Sequence, residues 1–223
     1  MKVTTKQKII DKAVELFNEK GYASVTLFEI AGALNMTRGN LTYHFKDKEV
    51  LLTTIADKFW SKVVEESNKT RLLPSFENLH HAANIFCKNQ RKYAFIFLDY
   101  HVLNHPAIRQ QFREMAAQQI KESQATIAFS IAAGNMHPEP FEGIYHNLAF
   151  STWMISFYWL NQQEVLGEDV DDFAERGEMK VWSLLIPHLT EKGLKAFRNF
   201  FGKDYLKKLG ESFEVDISNY VRF

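Results

Sequence analysis

The chain has 223 residues, 46% hydrophobic and 24% charged, with 27 Lys and Arg balanced by 27 Asp and Glu. That length can bury a sizeable core in one or two domains, and that composition excludes a disordered chain. The single cysteine, Cys87, excludes an internal disulfide framework, and its apolar setting Ala82-Ala83-Asn84-Ile85-Phe86 predicts a small buried hydrophobe rather than a redox switch.

Thr4 and Gln7 have the spacing of a capping box, in which the hydroxyl accepts from the backbone N–H three residues on and the Gln side chain reaches back. The helix they start carries Ile9, Ala13, Leu16 and Phe17 as its buried stripe and stops at Gly21, with Tyr22 folded back onto it. Thr26 and Glu29 repeat the box, and Leu27, Ile30, Ala31 and Leu34 then recur at helical spacing. A turn follows at Asn35-Met36. A corner between two such helices requires one residue in the left-handed conformation, a place that Gly fills best and Asn next best. Thr37 caps a third helix, in which Leu41 and Phe45 face inward. Arg38, Gly39, Asn40, Thr42, Tyr43 and His44 are left outside.

This is the pattern of a helix-turn-helix, whose second helix lies in the major groove of DNA with its first turn at the base edges. Arg grips guanine and Asn grips adenine with two hydrogen bonds each, and Thr can touch a thymine methyl or a phosphate. Gly39 lets the backbone approach closely. Lys46 and Lys48 flank Asp47, the expected cap of a fourth helix, and with that helix's free N–H groups they would hold phosphates. The expected DNA-contacting set is Thr26, Thr37, Arg38, Gly39, Asn40, Thr42, Tyr43, His44, Lys46 and Lys48. Residues 1–50 carry eight basic against six acidic side chains and the rest of the chain 19 against 21. That asymmetry has the right sign for a DNA binder but is small.

Ala13, Leu16, Phe17, Gly21-Tyr22, Val25-Thr26, Ile30-Ala31, Thr37, Gly39, Leu41, His44-Phe45, Lys48-Glu49 and Leu51 together resemble the tetracycline-repressor (TetR) family of bacterial transcription regulators, over Lys6 to about Leu52. Asn35 stands where the family often has the turn glycine. Thr42 stands where it usually has Tyr, with Tyr43 just after. The resemblance implies an all-α fold with two parts. Residues 1–47 would form a three-helix DNA-binding domain, and residues 48–223 a larger helical domain for ligand binding and dimerisation.

Beyond residue 47 the prolines Pro74, Pro106, Pro138 with Pro140, and Pro187 mark breaks between helical stretches. Residues 48–69 carry Leu51, Leu52, Ile55, Phe59 and Val63 on one face and run from the recognition helix into the second domain, as a lever. Helices are predicted over residues 75–90, 92–103, 106–133, 140–166, 171–186 and 194–202. In residues 140–166, Phe141, Tyr145, Leu148, Thr152, Ile155 and Trp159 lie on one face, and Phe150, Trp153, Phe157 and Leu160 on another. The next helix repeats this, and its mid-helix Gly177 costs about 1 kcal/mol unless it permits close packing. Helices apolar on two sides predict a second partner. Pairing with the same two helices of another copy gives a two-fold interface of Phe150, Trp153, Phe157, Gly177, Val181, Trp182 and Leu185.

The resemblance also suggests a cavity. Phe86, Phe97, Tyr100, His101, Met115, Trp153 and Phe157 are its candidate lining, suited to an apolar or aromatic small molecule, although such a stripe reads equally well as core. His80-His81 and His101/His105 lack metal-ligand spacing, so neither metal nor cofactor is expected. No glycine-rich phosphate loop, nucleophile elbow or matched carboxylate pair stands out, so no catalytic residue is assigned. The apolar run 150–160 is too short to span a bilayer, and Met1-Lys2-Val3 opens no signal peptide, so a cytoplasmic protein without a membrane partner is expected. From Phe213 apolar and polar residues alternate, as in an extended segment. The expected function is a ligand-responsive, homodimeric transcription regulator on a near-palindromic double-stranded operator, read as a repressor, although the sequence alone does not distinguish a repressor from an activator. The rival is a helical small-molecule-binding or enzymatic protein whose N-terminal bundle is vestigial.

Overall fold

Three threonine hydroxyls start the first three helices. Thr4, Thr26 and Thr37 each accept from the backbone N–H three residues ahead, at 3.2 Å, which satisfies one of the donors that every helix start leaves open. They open α1 (Thr5–Lys20), α2 (Leu27–Ala33) and α3 (Arg38–His44). The Thr4 box is only half formed, because the Gln7 side chain donates to Asp11 at 2.7 Å and accepts from Lys58 instead of reaching back. Glu29 pairs with Lys20 at 2.6 Å. Asn35 supplies the turn between α2 and α3 at φ 52°, the one non-glycine with positive φ among the described residues. Asp47 accepts from Val50 N at 2.8 Å and opens α4 (Lys48–Leu72).

The computed structural model describes residues 4–72, 74–166 and 173–211. The segment from Phe213 lies outside them. After α4 come α5 (Phe76–Lys92), α6 (Phe95–Leu98), α7 (Tyr100–Leu103), α8 (Pro106–Ala132), α9 (Ile144–Leu166), α10 (Phe173–Leu185), α11 (Glu191–Phe201) and α12 (Lys203–Glu211). The fold is all-α, with no strand among the described residues.

Two predicted helices change shape, each for a local reason, and the tail helix, which ends at Gly202 as expected, is followed by another. Residues 92–103 form two short helices, because Asp99 is extended at ψ 119° and its carboxylate caps α7 through His101 N (2.8 Å) and Val102 N (3.3 Å). The helix predicted from Pro140 begins at Ile144, after Gly143 at φ 89°. Phe141 is therefore exposed instead of lying on a buried face. The C-terminal tail is two helices, broken at Gly202 with φ 82°.

One hydrophobic core runs without interruption from α1 through Phe17, Leu41, Phe45, Leu51 and Phe59 to Phe97 and Phe157. The first three helices are thus fused to the body through α4. A second core joins α9 and α10 to the C-terminal pair through Tyr145, Trp182, Phe197 and Tyr205. The C-terminal pair is seated by a close approach at Gly193. Thr190 N donates to Asn135 O at 3.0 Å, and a Cβ on Gly193 would lie 2.0 Å from that same oxygen.

Candidate nucleic-acid interface and internal cavity

α3 is held from beneath by Leu41, which is fully buried, and by Phe45 just past its end. Arg38, Gly39, Asn40 and Tyr43 are exposed, and Tyr43 is 86% exposed with its ring edge-on to His44 at 5.3 Å. A fully solvated tyrosine forfeits the burial that aromatic side chains normally supply. No φ demand attaches to Gly39, and a Cβ there would meet only Thr37 Oγ1 at an ordinary 3.8 Å. Nothing within the protein requires that glycine.

Two of the expected DNA contacts are drawn inward. The Thr42 hydroxyl donates back to Arg38 O (3.0 Å) and Gly39 O (3.1 Å), so its methyl is the part left to face outward. Lys48 is more fully committed. Its Nζ donates to Tyr22 O and Val25 O at 2.9 Å and sits 4.3 Å from the Tyr22 ring centroid. Partial burial pulls its pKa below the usual lysine value, against the raising charge of Asp99. Lys48 therefore ties the α1–α2 loop to α4, contrary to the expectation of a phosphate ligand, whereas Lys46 is exposed. Thr26 and Thr37 are exposed caps. Phe28, 73% exposed on α2, lies off the apolar stripe of Leu27, Ile30, Ala31 and Leu34 and is absent from the expected contact set.

Beyond the contacts that Lys48 and Lys58 make from α4, Asn18 and Asp99 also latch the three-helix head to the body. Asn18 Nδ2 donates to Lys92 O at 2.9 Å, while its Oδ1 accepts from Phe95 N at 3.0 Å. Asp99, already the cap of α7, also accepts from Tyr22 N at 2.6 Å.

Between α4, α5, α8, α9 and α10 lies a cavity of about 250 Å³. Of the seven expected lining residues, Phe86, Trp153 and Phe157 line it. Phe97 is buried next to it in an aromatic cluster, with ring centroids 5.3 Å from Phe157 and 5.4 Å from Phe59. Met115 packs on the core without reaching the cavity. Tyr100 and His101 are exposed, because α7 is a separate one-turn helix that points them outward.

The predicted dimer face also turns inward. Trp153, Phe157, Gly177, Val181, Trp182 and Leu185 all line the cavity, and of that set only Phe150 is exposed. The second apolar side of α9 and α10 faces a hollow in their own subunit. Gly177 has an internal reason. A Cβ there would come 2.7 Å from Trp159 Cδ1, and Trp159 is fixed by its Nε1 donating to Phe173 O at 2.9 Å. The exposed apolar side chains of α9 are instead Ile144, Phe150, Met154, Tyr158 and Val165. Sequence reasoning missed the cavity's α4 and α8 walls, including Trp60, Glu66 and Glu122, because those residues meet only in three dimensions.

Among the described residues no group of His, Cys, Asp and Glu is arranged to hold a metal ion, and no helix is long and apolar enough to cross a membrane.

Two family models match the chain. One, described as bacterial regulatory proteins of the tetR family, covers residues 9–55, and one described as a bacterial transcriptional repressor covers residues 57–197. The probable HTH-type transcriptional regulator YttP of Bacillus subtilis is 40% identical over 68 residues, 29% of this chain and 33% of that protein. The HTH-type transcriptional regulator AcrR of Shigella flexneri is 43% identical over 61 residues, 27% of this chain and 28% of that one. These matches span a third or less of the relatives' length. The fold is similar to that of a TetR-family regulator from Marinobacter aquaeolei VT8, with a TM-score of 0.76, 22% identity, and coverage of 94% of this chain and 98% of that one. It is also similar to SmeT in complex with triclosan, with a TM-score of 0.65, 18% identity, and coverage of 84% and 92%.

Proposed function

The chain belongs to the TetR family of bacterial transcription regulators, and we propose that it acts in the cytoplasm as a homodimeric, ligand-responsive repressor. In this reading residues 1–47 are the DNA-reading domain and residues 48–223 the ligand-binding and dimerisation domain. The carrying observation is the outer face of α3, where Arg38, Asn40 and Tyr43 are exposed and Gly39 has no internal cause. A side chain that does nothing for its own fold is available to a partner. Arg and Asn near the start of a recognition helix match guanine and adenine in the major groove.

Two copies pair through the exposed stripe Phe150, Met154 and Tyr158 of α9, which places one reading helix on each half of a near-palindromic operator. The half-sites then lie about one helical turn apart or somewhat more. The effector is a small molecule with an apolar or aromatic body held in the cavity, as triclosan is held by the similar SmeT. Trp60, on the cavity wall, stands twelve residues along α4 from Lys48, a rise of about 18 Å. A ligand that binds one setting of α4 better than another shifts the head by that differential affinity.

Selection of bound sequences from a random DNA pool should return a two-fold symmetric site. Arg38→Ala and Tyr43→Ala should each weaken binding to that site about tenfold or more, with little change on unrelated DNA. Unchanged sequence preference in both variants, or binding that ignores salt concentration, would sink the assignment.

A further inference from the structure

The chemistry of the cavity wall narrows the ligand beyond an apolar body. The charges on that wall are already engaged. Glu178 on α10 has one oxygen 2.6 Å from His80 Nδ1 and the other accepting from Trp182 Nε1 at 2.8 Å. Glu66 on α4 lies 3.4 Å from His81 Nε2, and Glu122 on α8 accepts from Gln118 Nε2 at 2.6 Å. Among the described residues no Lys or Arg lines the hollow. An ionic ligand would give up its hydration and meet no counter-charge that is not already partnered. What the wall leaves open is hydroxyl groups. Gln119, Ser123 and Thr126 reach the hollow from α8 at four- and three-residue spacing, one row along the helix. Ser123 and Thr126 are half-buried, and among the described residues no protein group hydrogen-bonds to their hydroxyls. On α9, next to this row, Thr152 and Ser156 donate to Ala149 O and Thr152 O at 2.9 Å, so they offer the hollow acceptor lone pairs alone. The wall that α5 supplies is of the other kind: it includes Leu79, Ala82, Ala83 and Phe86 and carries no hydroxyl, amide or carboxylate. Trp153 and Phe157, with ring centroids 5.5 Å apart, add aromatic surface from α9.

From this combination, and resting on the reading of the cavity as the effector site, we propose that the ligand is an uncharged aromatic compound with hydroxyl groups along one edge, that edge seated on Ser123 and Thr126 and its ring body against Phe86 and Phe157. A wholly apolar molecule in this hollow strips water from the α8 hydroxyls and returns no hydrogen bond to them. A ligand hydroxyl in the place of that water keeps the bonds that water made. A ring body gains from the α5 and α9 walls what the polar edge cannot supply.

The test uses the full chain and four probes on one ring frame: 3,5-dihydroxybiphenyl, biphenyl, the anion biphenyl-3-carboxylate and the cation biphenyl-3-ylmethylammonium. Binding is read by equilibrium dialysis. The diol should bind about tenfold more tightly than biphenyl, the gain of one net hydrogen bond, and both ions should bind more weakly than the diol. A wall without hydrogen-bonding preference would favour biphenyl, the more apolar of the two. Ser123→Ala and Thr126→Val each remove one hydroxyl, and each should lower the preference for the diol over biphenyl about threefold or more. The two variants are independent, so either one keeps the test meaningful if the other fails to fold. Biphenyl binding as tightly as the diol, a preference unchanged in both variants, or an ion binding more tightly than the diol would overturn the ligand class and leave the cavity as an effector site. Failure of all four to bind would overturn both. Diol binding that leaves affinity for the selected operator unchanged would uphold the ligand class and overturn the effector role of the cavity.

Discussion

The head, α1 to α3, and the body, α4 to α12, are built from the same element but are specified over different distances. In the head each helix start is decided three residues away, by Thr4, Thr26 and Thr37, and the corner by Asn35 alone. In the body the polar contacts that fix one helix on another join residues 55 to 67 positions apart. Gln90 Nε2 donates to Phe157 O at 2.7 Å, Asn161 Nδ2 to Phe97 O at 3.0 Å, and Thr190 N to Asn135 O at 3.0 Å. A surface that must present fixed donors and acceptors outward gains from local rules. A hollow that must suit one ligand is made where several helices fail to close on each other, and no local rule describes it.

That contrast can be broken most forcefully at Gly193. Ala there puts a Cβ 2.0 Å from a backbone carbonyl oxygen, and overpacking that forces backbone movement costs about 3 kcal/mol. Urea denaturation of Gly193→Ala should show a loss of that size. A neutral result would mean that the C-terminal pair is not seated by this contact. The head's counterpart is milder. Thr37→Ala removes one cap and should cost about 1 kcal/mol by the same measurement. A loss as large as that of Gly193→Ala would show that the head, too, depends on distant packing.

The smallest effect is one of sign. Glu29 in the head is held below the usual carboxylate range, chiefly by the hydrogen bond from Lys20. Its contribution is present above its unfolded pKa and is lost as pH falls through the lowered folded value. Glu178 in the body is pushed the other way by burial. Its contribution is complete below the unfolded carboxylate pKa and is lost as pH rises through the raised folded value. Glu29→Gln should flatten the stability profile on its acid side. Glu178→Gln should flatten it just above the ordinary carboxylate range, where Glu175 and His80 also act on the group. Melting temperatures measured across pH 3 to about 8 separate the two, and the same slope change in both variants would contradict the opposed shifts.

The difference in reach also explains what could be read from the residues. The boundaries of α1 to α3, the left-handed Asn35, the Asp47 cap and the outward face of α3 follow from neighbours within one or two turns. The tie made by Lys48 is not legible locally, because its partners, Tyr22 O and Val25 O, lie more than twenty positions earlier. Trp153 and Trp182 lie on the second apolar sides that helical spacing picks out. Periodicity says that a face is apolar but not what it meets, and the cavity these side chains line is assembled from five helices. Tyr100 and His101 were placed inward on an assumption of one continuous helix, which Asp99 interrupts.

Asp99 has one further consequence. A single carboxylate receives the N–H groups of His101 and Val102, which belong to the body, and of Tyr22, which belongs to the head. A charged acceptor at 2.6 Å is a strong bond, and it is lost within an ångström of travel. The joint therefore works as a detent rather than a spring. In the proposed ligand response, a strain from the cavity large enough to release Tyr22 would free the head in one step. Graded occupancy across a population would then be transmitted by each molecule as a discrete event.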